Sequence, residues 1–179
     1  MLMHSLGNYR EALEKSRSLP LNQVLLESCS DCRMYLTPIP KSQRGGLSAI
    51  TIRARHVREA FSHCYCKEKP TGWVISRDDF FHSRFSHSSA VVTKSGPPSS
   101  SLPCNYIRPA GLYTSIHIKG AYFHHGQDSL ERMQDFMDKN NLVPDGDVFL
   151  FPIISYWVTN NPEEYINSLS VKVVPAGSK

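Results

Sequence analysis

An α+β fold of two related repeats is predicted by three observations. The order strand, helix, strand, strand reads twice along the chain, and a Pro/Gly/Ser-rich stretch, TKSGPPSSSLPC, separates the two readings. The third observation is GLYTSIHIKGAY, Gly111 to Tyr122, which alternates with a period of two. Leu112, Thr114, Ile116 and Ile118 point to one side of that strand, and Tyr113, Ser115, His117 and Lys119 to the other. Each repeat then carries one helix on one face of an antiparallel sheet, and the opposite faces are free to enclose a ligand cleft. The polar and aromatic side of this strand is either the wall of that cleft or a solvated sheet face.

Taken in order, residues 1–20 read as a short N-terminal helix, with Leu6, Tyr9 or Arg10, and Leu13 forming a seam too brief for a coiled coil. Repeat one spans 21–92. Leu21 to Pro38 reads as a hairpin turned by Ser-Cys-Ser-Asp, and Pro40 to Gly46 as a loop. Ile50, Ala54, Val57, Phe61 and Cys64 recur at helical spacing and predict an apolar stripe, with Arg53, Arg55, Arg58 and Glu59 around it. Pro70, Thr71 and Gly72 break the helix before a strand at Trp73, Val74 and Ile75. After the linker, 93–104, repeat two spans 105–174. Its helix carries the stripe Leu130, Met133, Phe136 and Met137, starts from a capping-box-like Asp128 and Glu131, and stops at Asn140 and Asn141. The turn Pro144, Asp145, Gly146 leads to the strand VFLFPII, in which Leu150 and Pro152 are expected inward and Phe149 and Phe151 toward the helix. A final strand covers Ile166 to Val174.

Composition narrows the function classes. A chain of 179 residues with 40% hydrophobic content can bury a core. Its net charge of +4 comes from basic residues that are scattered outside the arginine cluster above, so no basic stripe for nucleic acid forms. The opening residues turn charged before any apolar stretch, and the longest apolar run, Val148 to Ile154, is too short to span a bilayer; a cytoplasmic chain is expected. Five cysteines, an odd number, argue against a secreted disulfide framework. Cys29-x-x-Cys32 and His63-Cys64-x-Cys66 offer four soft ligands should the segments meet, but the C-x-C spacing is unusual for structural zinc, and reduced thiols are the simpler reading. His124 and His125, in a loop before the helix, point apart and do not pair as metal ligands. No cofactor is expected.

The second repeat resembles the GyrI-like (gyrase-inhibitor-like) effector-binding domain found in multidrug-responsive MerR-type activators, in some AraC-type regulators and as free-standing proteins. The resemblance rests on Pro109-Ala110-Gly111-Leu112-Tyr113, Gly120-Ala121-Tyr122, the helix from Asp128, Gly146-Asp147-Val148-Phe149, and Asn161-Pro162-Glu163-Glu164-Tyr165. It implies two pseudo-symmetric repeats around a cavity for bulky aromatic molecules. It also implies the ligand-sensing domain of a MerR-type transcription regulator, with DNA reached only through a separate domain absent from this chain and with a homodimer as the oligomeric option. The first residues then read as the tail of a dimerisation helix cut from a regulator; a stand-alone hydrolase or drug-sequestering protein is the alternative.

The ligand-binding candidates are Trp73, Tyr113, His117, Tyr122, Leu150, Glu163 and Tyr165. Rings with one polar atom stack on a planar guest and still hydrogen-bond it, and His117 titrates near neutrality. Glu163 stands at a family-acidic position. Leu150 stands where cation-binding relatives carry an inward acid, which leaves a neutral or anionic guest as plausible as a cation. For hydrolysis, Glu163, Tyr165 and Asp78 or Asp79 are on offer, but no nucleophile and base are spaced as a pair.

Overall fold

The structure is a computed structural model that describes residues 13–14, 16–62, 71–95, 104–156 and 158–177. The strands are β1 (Val24–Cys29), β2 (Cys32–Pro38), β3 (Thr71–Ile75), β4 (Ser88–Lys94), β5 (Tyr106–Arg108), β6 (Gly111–Lys119), β7 (Leu142–Ile154) and β8 (Ile166–Pro175). The helices are α1 (Gly46–Ser62), α2 (Arg77–Phe81) and α3 (Tyr122–Lys139). Residues 13–14 and 16–17 are helical; the rest of the expected N-terminal seam lies outside the described residues.

All eight strands form one curled antiparallel sheet in the order β1-β6-β8-β7-β3-β4-β2-β5. Exchanging β1 with β5, β2 with β6, β3 with β7 and β4 with β8 reverses this order onto itself, so the two repeats are related by a pseudo-twofold axis between β3 and β7. The repeats therefore share one sheet, joined where Val74 pairs with Phe149. The expected β1–β2 hairpin does not form. β1 pairs with β6, whereas β2 pairs with β4 and β5, so each repeat lends its first strand to the edge of the other.

That exchange forces the curl. β1 is one edge, and β2 lies next to the other edge, yet only Ser30 and Asp31 connect them. Three peptide steps span at most about 11 Å, so opposite margins must approach at this end of the sheet. Pro109 and Ala110 make the equivalent crossing from β5 to β6.

The helices lie on the outer face. Directly paired residues share a face, and Ile116, Leu169, Leu150, Val148 and Ile75 fall on one side, packed under Leu130, Met133 and Met137 of α3. The aliphatic side of β6 meets this helix as its alternation predicts. α3 begins at Tyr122 without a side-chain cap, six positions before the expected Asp128, so His124 and His125 are helical. It ends at Asn140, whose Nδ2 donates to the Phe136 carbonyl at 2.7 Å, followed by Asn141 at φ +53°. The expected turn at Pro144 to Gly146 is instead an irregularity inside the long strand β7, where the register with β8 shifts.

α1 enters through Gly45 and Gly46, both at positive φ (+82° and +64°), a conformation that costs glycine little. Its inward residues are Ala49, Ile52, His56 and Ala60, not the stripe through Ile50 and Ala54, which are exposed. The expected stripe fails because a histidine occupies the centre of the buried face, so hydrophobic spacing marked the wrong side. Cys64 lies outside the described residues.

Candidate ligand-binding face

The inner face, opposite the helices, follows from the same pairing. Phe149 and Phe151 are directly opposite Ser170 and Ser168, and those serines are opposite Ser115 and His117. Val74, Ala90, Val92, Met34 and Leu36 continue this face across β3, β4 and β2, and Tyr106 and Arg108 complete it on β5. Phe151 is accommodated by Gly72: a Cβ there would lie 2.3 Å from the Leu150 carbonyl oxygen and 2.7 Å from the Phe151 ring.

Opposite margins of the sheet meet over this face. The Arg108 guanidinium of β5 sits 4.5 Å from the Tyr113 ring centroid and 5.9 Å from that of Phe149, and the Tyr106 ring lies 6.3 Å from Phe149. Lys94 Nζ stands 5.0 Å over Phe151. Tyr113 Oη donates to the Pro109 carbonyl at 2.8 Å, tying β6 to the crossing that precedes it. Tyr113, Phe149 and Phe151 are only 1%, 4% and 8% exposed, so the concave face is occupied by rings and by the chain's own cations stacked on them. Burial raises the Tyr113 phenol pKa, opposed by Arg108.

The other part of the inner face is polar. Ser115 donates to Glu27 Oε2 at 2.7 Å. His117 is buried with no partner for Nδ1; burial lowers its pKa, and Glu27 opposes that shift. Two open recesses, about 270 and 420 Å³, lie elsewhere, beside α1 at Ile52 and Arg55 and at the β7–β8 end at Val143 and Pro175, and no inner-face ring lines either.

Of the sequence candidates, Tyr113 and His117 lie on the inner face. Trp73 and Leu150 do not: they pair directly on the outer face, Trp73 against Ile52 and Val91 with Arg53 5.4 Å over its ring, and Leu150 in the α3 core. The inward residues of β7 are thus Phe149 and Phe151, the reverse of the expectation, and Leu150 is no substitute for an inward acid. Tyr122 is buried in the α3 core beside Phe85, its hydroxyl without a partner and its pKa raised by burial. Glu163 is exposed in a short 3-10 turn, and Tyr165 follows it, its carbonyl accepting from Gly120 N at 2.8 Å; neither is on the inner-face strands.

Asp79, offered for hydrolysis, is a structural clamp. Its carboxylate takes Arg84 Nε at 2.6 Å, Arg44 at 3.0 Å and Ser76 Oγ at 2.5 Å. Burial pushes this carboxyl up, but Ser76, Arg84 and Arg44 outweigh it and hold the pKa below the ordinary value. Asp78 is exposed and paired with Arg84. Cys29 and Cys32 are free thiols; their proposed zinc partners, His63, Cys64 and Cys66, lie outside the described residues. Among the described residues no group of three or more His, Cys, Asp or Glu side chains is placed to hold a metal.

Sequence reasoning missed Phe149, Phe151, Tyr106, Arg108 and Lys94. Both faces of β7 are covered and apolar, so its alternation carries no polarity signal. The available clue was Arg108, a cation next to the Pro109-Ala110 crossing that any edge exchange would bring over β6.

No protein-family model matches the chain, and no curated protein matches it. Among solved structures, the EcmrR C-terminal domain superposes with a TM-score of 0.62 at 12% identity, over 86% of this chain and 98% of that one. A hydrolase from Listeria innocua gives 0.55 at 14% identity, over 90% and 96%. EcmrR in its complex with DNA gives 0.55 at 13% identity, over 97% of this chain and 65% of that one. At such identities the likeness is one of fold: the protein has the GyrI-like fold.

Proposed function

We propose that the chain is the ligand-sensing domain of a cytoplasmic transcription regulator and binds small hydrophobic or aromatic effectors on its concave face. The observation that carries this is the convergence of Tyr113, Phe149, Phe151 and Tyr106 on that face, within a fold shared by the C-terminal domain of a protein observed on DNA. Because the rings are covered by Arg108 and Lys94, a guest enters by displacing these flexible side chains and stacking in their place. DNA is then engaged by a separate domain, whose two states the ligand biases. No helix among the described residues is long and apolar enough to cross a membrane.

The test is calorimetric titration of the chain with a panel of flat aromatics, with Phe149→Leu as control. Micromolar binding by some member, weakened at least roughly tenfold by the substitution, supports the reading. Indifference to the whole panel refutes it. A hydrolase of the same fold is the second reading, favoured by the Listeria innocua neighbour. The acids expected for it are not assembled on this face among the described residues: Asp79 is held by Arg84 and Arg44, and Glu163 is exposed away from the inner-face strands.

A further inference from the structure

We infer that the effector is an aromatic anion, a flat ring system bearing a carboxylate or similar acid, with Arg108 as the group that reads its charge. This rests on the ligand-binding reading above and adds the chemical class of the guest.

Arg108 is a cation left without an acceptor among the described residues. It is half-buried, its Nε is shielded from solvent with no partner, and its side chain makes no hydrogen bond or ion pair within the described residues. A guanidinium presents a planar fork of donors matched to a carboxylate, and withdrawing one from water without an acceptor is costly. Its stacking on Tyr113 and Phe149 recovers only part of that cost. Lys94, over Phe151, likewise has no carboxylate partner among the described residues.

None of the neighbouring acids is ion-paired with Arg108. Glu27 accepts from Ser115, Asp145 pairs with Lys172 at 3.0 Å, and Asp147 accepts from the Arg77 amide at 3.0 Å. A cationic guest would therefore meet rings whose faces already hold the cations Arg108 and Lys94. An anionic aromatic does the reverse: its ring takes the place of the guanidinium on Tyr113 and Phe149, and its acid group gives Arg108 Nε and its terminal nitrogens the acceptor they lack.

Three probes of one shape separate the possibilities: 1-naphthoate, 1-naphthamide and 1-naphthylmethylammonium, each titrated calorimetrically into the chain at fixed ionic strength. Naphthoate is expected to bind at least about tenfold tighter than naphthamide, with the ammonium weakest. Arg108→Gln should erase that preference, weakening naphthoate roughly tenfold while changing naphthamide less than about twofold. Lys94→Gln, at an exposed position that tolerates substitution, should weaken naphthoate by a smaller factor and serves if the Arg108 variant misfolds. Equal affinities, or the ammonium binding tightest, overturn the charge inference and leave the aromatic reading standing. A naphthoate preference that survives both substitutions overturns the assignment to this face. Silence from all three probes overturns both.

Discussion

The two helix-to-sheet interfaces share a topology and differ in chemistry. Under α3, Leu130, Met133 and Met137 pack in one apolar cluster with Ile116, Ile118, Leu169 and Val171. Under α1, the central side chain is His56, fully buried, with Nδ1 2.7 Å from Thr37 Oγ1 and Nε2 2.9 Å from Thr93 Oγ1, which in turn contacts Thr71 Oγ1 at 2.9 Å. Tyr35 stacks on the imidazole at 5.0 Å. The same pseudo-symmetric scaffold thus accepts either a mainly apolar or a hydrogen-bonded filling. The apolar interface is insensitive to protons; the polar one is not.

The largest effect that would test this contrast is Met133→Ala. Met133 is fully buried, so the truncation should cost about 3–4 kcal/mol of unfolding free energy in urea, independent of pH between 4 and 8. A loss below about 1 kcal/mol would mean the α3 interface is not the tighter core.

A comparable effect is expected from acid on the other interface. Burial pushes the His56 pKa from 6.5 down to about 4; Glu59 opposes the shift and Arg53 adds to it. The unfolded chain therefore binds the proton more readily. Stability from the neutral ring is full above pH 6.5 and is lost as pH falls toward and through 4, on the order of 3 kcal/mol in all. The fall should flatten in His56→Gln, measured by urea unfolding across that range; His117, lowered in the same direction, leaves a smaller residual slope. An unchanged slope in the variant would remove His56 as the cause.

The smallest effect sharpens the placement of α1 itself. Ile50 is 60% exposed, so Ile50→Gln should shift stability by no more than about 0.5 kcal/mol, whereas Ile52→Ala, 6% exposed, should cost at least about 2. Equal losses in thermal unfolding would restore the stripe through Ile50.

The same contrast explains what was legible beforehand. The α3 face, the Asn140 stop and the alternation of β6 were plain in the sequence because Leu130, Met133, Ile116 and Ile118 belong to one apolar cluster, and a hydrophobic pattern reports that environment directly. The α1 face was misread because His56 and its threonines satisfy one another by hydrogen bonds between residues distant in sequence. On the candidate site, Tyr113 and His117 were legible from alternation. Trp73 and Leu150 were misplaced because both faces of the central strands are covered, and Arg108 was missed because its partners lie across the curl.

The amino-acid sequence by itself determined the fold class, the two repeats, the approximate positions of most helices and strands, and the aliphatic side of β6, because these depend on local periodicity and turn chemistry. Tertiary structure alone decided that β1 and β5 trade places, that the repeats fuse into one sheet, and that Arg108 and Lys94 cover the rings of the concave face. Those features depend on which strand edges find each other, a choice between long-range backbone pairings that no local pattern encodes.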